Sequence, residues 1–181
     1  MDTSTSPNIF DETLSFTREP NKLALAYWQS CRGSRTMPSR ADLDPVAMKK
    51  FTPNVGLVEI RKLENGVAYF VRRAGMRWEE VYGPMTGKFL SEFLPPHVVS
   101  SWYEIFGRAR EIKAPVRLCS RVDFGDKRWL AVEQLVAPLG EQDDVAMLFV
   151  SFVAWPNSAP LAATLTVSSD NTSPAPNSAA H

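Results

Sequence analysis

The chain has 181 residues and carries 20 Lys plus Arg against 20 Asp plus Glu. That balance argues against a dedicated nucleic-acid or anionic-membrane surface, which carries a basic excess. The length points to one domain, and a 44% apolar share is enough for an ordinary core without disulfide staples.

Residues 1–17 are polar and lack the apolar core of a signal peptide. The stretch 1–19 reads as a mobile arm, with Phe10, Leu14 and Phe16 as its few apolar residues. Asn21 after Pro20 predicts a helix start, and Leu23, Ala24, Tyr27 and Trp28 recur at helical spacing. Arg32 and Gly33 suit its end. Asp44-Pro45 predicts a second helix that Pro53 stops, with Val46, Met48 and Phe51 turned inward. Two apolar runs then flank Glu64-Asn65-Gly66, a strong hairpin signal. The second run passes through Gly75 into a short helix over 76–82, which Gly83-Pro84 ends.

Phe89, Leu90, Phe93 and Leu94 form a short apolar cluster. A longer helix follows over about 97–112, where Val98, Val99, Trp102, Ile105, Phe106 and Ala109 make one buried stripe. Three strands complete the domain over 116–122, 129–139 and 145–155. The last is apolar at nearly every position, as a strand covered on both faces is. It is also the longest apolar run, about half the roughly 20 residues of a membrane helix. These readings predict a soluble, cytoplasmic protein. From Asn157 to the end, the Ala, Ser, Thr, Asn and Pro composition predicts a disordered tail.

Chemistry-bearing motifs are few. His97 and His181 are the two histidines. No nucleophile elbow, P-loop, dinucleotide fingerprint or H-E-x-x-H is present. Cys31, His97 and Cys119 lack the short spacing of a structural zinc site. Arg40, Asp42, Arg72 and His97 are the charged residues whose convergence would suggest catalysis. The expectation is therefore no enzyme, no metal and an unknown cofactor.

The pieces together resemble a bacterial family of single-domain PAS-like proteins. Trp28, Ser30, Arg32 and Gly33, then Pro38, Arg40, Asp42, Asp44 and Pro45, match its leader. Arg72 and Gly75, and Thr86, Gly87, Leu90 and Glu92, match two later segments. Val71 departs from an aromatic common there, and the crossover from Gly83 to Thr86 is a residue short. The resemblance covers about 22–155. It implies an α+β, PAS-like domain over 20–156: a five-stranded antiparallel sheet with helices on one face and an N-terminal helix. It further implies a sensory module that binds a small ligand and signals in trans to a partner protein, or a ligand-free interaction adaptor. No output segment follows the domain on this chain, which favours action in trans.

The concave space expected between sheet and helices assigns a ligand pocket to Tyr69, Val71, Met76, Trp78, Phe89, Phe93, Trp102 and Phe106. The last strand presents Ala146, Leu148, Val150 and Phe152 on one face and Met147, Phe149, Ser151 and Val153 on the other. Both sets are largely apolar, so one face needs a cover beyond the domain's own helices. The 23–30 helix covers part of that face, and a homodimer through Leu23, Tyr27, Trp28, Leu148 and Phe149 is predicted to cover the rest.

Overall fold

The Glu64-Asn65 turn forms as its sequence predicts, joining β2 (Val55–Leu63) to β3 (Gly66–Arg73), with Leu63 paired to Gly66. In the computed structural model, which describes residues 8–157, this hairpin is one end of an antiparallel sheet. Helices α2 (Met76–Tyr82), α3 (Leu90–Phe93) and α4 (Pro96–Ile112) follow it. The chain then returns through β4 (Val116–Arg121), β5 (Leu130–Glu141) and β6 (Asp144–Pro156). β6 pairs with β2, so the order of the five main strands is β4-β5-β6-β2-β3. Beyond Asn157, the tail expected from the sequence lies outside the described residues.

A sixth strand comes from the stretch expected to be a loose arm. Residues Ile9–Asp11 form β1 and pair with Cys119, Leu118 and Arg117 on the free edge of β4. An unpaired edge offers a row of amides and carbonyls that an extended segment satisfies. Asp11 adds a 2.9 Å ion pair to Arg117, and Phe16 is buried.

The sheet is covered on both faces. Trp78 and Tyr82 of α2 pack on Phe152 from one side, with centroids 5.9 and 5.8 Å apart. Gly56 lets α2 sit this close, because a Cβ there would lie 3.1 Å from the Trp78 ring. On the other side lies α1 (Glu19–Arg32), whose Tyr27 ring meets Phe149 at 6.3 Å. The Trp28 indole N–H donates to the Pro138 carbonyl at 2.9 Å. β6 alternates as its sequence suggests, with Leu148, Val150 and Phe152 toward α2 and α4 and Phe149 and Ser151 toward α1. All five are buried within the one chain.

Two local readings need correction. Asn21 is not the cap of α1. The helix begins at Glu19, and Asn21 is fully buried, donating to the Glu133 carbonyl at 3.0 Å and to Glu133 Oε2 at 3.1 Å. The cap residue, Arg18, makes no side-chain capping bond. Glu133 substitutes for it from β5, accepting the amides of Thr17 and Arg18, each at 2.9 Å. A carboxylate there also complements the positive end of the helix dipole.

The second correction concerns 44–53. These residues form successive turns and a 3₁₀ turn at Thr52–Asn54, not a regular helix. Asp44 Oδ1 accepts the Val46 amide at 2.8 Å, a local turn that competes with helical pairing at this point. Met48 and Phe51 are buried as expected, but Val46 is 78% exposed.

Because Leu148 and Phe149 both lie in dry layers, Asp at either position places an unpaired carboxylate in the core. Both variants are expected to unfold the domain, read as loss of the native circular dichroism. A folded Phe149→Asp variant would contradict the placement of α1 over that face.

Candidate binding site

The space between the sheet and α2–α4 is occupied by side chains. Trp78 meets Trp102 at 5.3 Å, Trp102 meets Phe106 at 5.3 Å, and Phe106 meets Tyr69 at 5.1 Å, all edge to face. Tyr69, Val71, Trp78, Trp102 and Phe106 are each no more than 3% exposed. Five of the eight residues assigned to a pocket are thus core: four packed aromatic rings and the buried Val71. Burial also pushes the Tyr82 hydroxyl far above its ordinary range, so it stays neutral in this layer. Phe89 and Phe93 are half-buried, and Phe89 stacks on Phe70 at the sheet edge, 5.1 Å away. Met76 is 58% exposed and lies on a different surface.

The outer side of the hairpin is another surface again, and Met76 does not line it. A cleft of about 390 Å³ opens there over a floor of Val55, Leu57 and Met48, all buried, and Met147. Its polar wall is Arg40, Arg72 and Arg73 with the single carboxylate of Glu59. A regular strand would send Arg72 and Arg73 to opposite faces. Here Leu57 pairs with Arg73 while Val58 pairs with Val71, so Arg72 is an extra residue on β3. This bulge brings both guanidiniums to the same cleft, which is how bulges re-aim side chains.

Arg40 arrives from the leader. A 3₁₀ turn at Arg40–Asp42 presents it, and a reciprocal cap holds that turn. Asp42 Oδ2 accepts the Ser39 amide at 2.6 Å and the Ser39 hydroxyl at 2.9 Å, and pairs with Arg35 at 2.8 Å. The bonds from Ser39 hold the Asp42 carboxyl below its ordinary range. Asp42 is therefore engaged away from Arg40. Glu59 is also engaged, by Arg61 at 3.2 Å and Arg72 at 3.6 Å. Arg40 and Arg73 make no ion pair with any described residue.

Most of the leader and segment motifs have structural work. A Cβ on Gly75 would fall 2.3 Å from the Pro53 carbonyl oxygen, so only glycine fits between α2 and the Thr52–Asn54 turn. The Thr86 hydroxyl binds Glu79 and accepts the Ala74 amide, and Glu92 accepts the Phe89 amide. Arg40 and Arg72, distant in sequence, instead meet in the cleft. His97 stands apart at the start of α4, 3.7 Å from Asp123. The charged set Arg40, Asp42, Arg72 and His97 does not converge. Among the described residues, no three His, Cys, Asp or Glu side chains gather as metal ligands. Burial pushes the Cys119 thiol up to about 11, which leaves it protonated and unreactive.

Sequence reasoning missed Arg73, Glu59 and the apolar floor of this cleft. Adjacent arginines at a strand end were a signal, but the bulge that aligns them was not legible.

An antiparallel sheet whose helices intervene between a hairpin and a three-strand meander is the arrangement that the PAS resemblance implies. The family model for the PAS domain matches residues 16–153, from the buried Phe16 before α1 through most of β6. The chain belongs to the PAS domain family and is thus a sensory or regulatory module in general type. The match begins after β1, so that edge strand is an addition to the matched domain. No curated protein and no solved structure gave a significant match. No helix among the described residues is long and apolar enough to cross a membrane.

Proposed function

We propose that this PAS domain regulates in trans by docking a segment of another protein in the apolar groove beside α2. The observation that carries this reading is the groove itself. It is open, about 680 Å³, and walled by Pro45, Val46, Pro53, Ala74 and Met76. Val46 is 78% exposed and Met76 58% exposed, although the chain has ample core in which to bury them. Large apolar side chains gathered at one exposed groove mark interaction surfaces. Lys49 and Arg73 stand on its rim. The fitting occupant is a short apolar segment flanked by acidic residues.

A ligand enclosed between sheet and helices has less support, because aromatic rings pack that space. The argument for a homodimer also changes. Trp28, Leu148 and Phe149 are buried within one chain, and α1 covers the outer face, so a second copy is not needed there. Leu23 and Tyr27 are half-buried. A second copy that uses the groove is one form the proposed docking takes.

Site-specific photocrosslinking in the native cell tests the reading. A photoreactive residue at Val46 or Met76 is expected to give a discrete adduct, which the same residue at exposed Leu63 does not. Asp at Val46 should abolish the adduct formed from position 76. An adduct of twice the chain mass identifies a second copy as occupant. Failure to crosslink at 46 and 76, or equal crosslinking at 63, overturns the proposal.

A further inference from the structure

We infer that the Arg40–Arg72–Arg73 cleft is a binding site for an organic anion: an oxyanion head group, carboxylate or phosphate monoester, on a small apolar body. The inference does not depend on docking in the neighbouring groove. It starts from charge. The whole chain is balanced at 20 cations to 20 anions, yet this cleft gathers three guanidiniums around one carboxylate. That carboxylate, Glu59, is already paired with Arg61 and Arg72. None of the acids near Arg40 pairs with it: Asp42 is held by Ser39 and Arg35, Asp44 caps its own turn at the Val46 amide, Asp144 pairs with Lys62, and Glu141 lines the adjoining pocket without an ion pair to Arg40. Clustered like charges repel, so an arrangement that leaves Arg40 and Arg73 without ion pairs favours an anion between them.

Geometry adds a second, independent reason. The bulge between Leu57 and Val58 costs the hairpin regular pairing at one position, and its effect is to place Arg72 beside Arg73. On the opposite wall, the capped 3₁₀ turn fixes the backbone that carries Arg40. Guanidiniums offer paired donors that match the two oxygens of a carboxylate or phosphate. Beneath them the floor is apolar, made by Val55, Leu57 and Met48. A bare inorganic anion would leave that floor unused. The volume, about 390 Å³, lies at the lower end of small-molecule sites.

The test uses the full chain and four probes in low-salt buffer: hexanoate, hexyl phosphate, hexanamide and inorganic phosphate. Binding is followed by calorimetry and by the arginine side-chain N–H signals in nuclear magnetic resonance. Hexanoate or hexyl phosphate is expected to bind at least tenfold more tightly than both hexanamide and inorganic phosphate. The better of the two identifies the head group. Arg40→Ala with Arg73→Ala should weaken that binding at least tenfold while circular dichroism and melting temperature stay unchanged, since neither guanidinium makes an ion pair within the described domain and the backbone bonds of both residues are kept. Arg73→Lys, which keeps the charge but loses the fork, should fall between. Equal binding of hexanoate, hexyl phosphate and hexanamide overturns the inference. So does undiminished binding by the folded double variant.

Discussion

Glu133→Ala is expected to destabilise the domain by about 3–5 kcal/mol, the usual cost of breaking a buried ion pair from one side. Glu133 is fully buried, and Arg117 is 2% exposed. Arg117 donates to Glu133 Oε1 through Nε at 3.1 Å and Nη2 at 2.8 Å. Alanine would leave that guanidinium with Asp11 alone, 2.9 Å away. It would also strip the acceptor from the Thr17 and Arg18 amides and one of the two acceptors from the Asn21 side chain, which keeps the residue 133 carbonyl. The same change thus removes a charge partner and the cap of α1. Urea denaturation reads the loss, and hydrogen exchange should show the amides of α1 opening first. A loss below about 1 kcal/mol would mean that water replaces Glu133 adequately.

The pair also sets the acid limit. Burial opposes ionisation of Glu133, but the bonds from Thr17, Arg117, Arg18 and Asn21 outweigh it and hold the carboxyl below its ordinary value of 4.5. A depressed folded pKa contributes stability that is fully present above the unfolded value. That contribution is lost as pH falls below 4.5 and through the folded value. The wild type should therefore lose stability on acidification in this range. The Glu133→Ala variant should show a shallower slope there, having lost the contribution at neutral pH already.

Trp78→Ala is expected to cost about 3–5 kcal/mol as well, and to create the cavity that PAS folds often keep open. Trp78 is fully buried against Trp102 and Phe152. Its indole N–H has no hydrogen-bond partner among the described residues. Phe at this position therefore loses volume but no bond, and should cost much less than Ala. The new cavity would be lined by Trp102, Phe152 and the bare Gly56, apolar enough to stay dry and accept an aromatic guest. Added indole should raise the melting temperature of Trp78→Ala by mass action and leave the wild type unchanged. If indole stabilises both proteins equally, the wild-type interior is not as filled as its ring contacts make it.

Local pattern alone determined a good deal of this protein. The Asn-Gly hairpin, the stripe of α4 and the three closing strands depend on spacing along the chain, and spacing is what turns and periodicities are made of. The leader and segment motifs carried the PAS resemblance for the same reason. The tertiary structure decided what depends on residues far apart. Asn21 looks like a cap because its neighbours are helical, but the actual cap, Glu133, lies 112 residues away on β5. The signal was a carboxylate in the middle of a largely apolar strand, which points to a buried partner without saying which. Residues 9–11 look unstructured by composition, yet the free edge of β4 supplies the pairing that their own sequence does not. Aromatics at core spacing look alike whether they line a pocket or fill it, and only their mutual packing distinguishes the two. The cleft was the least legible feature. It needs a bulge that shifts the register by one residue, and with it the face on which every following side chain emerges.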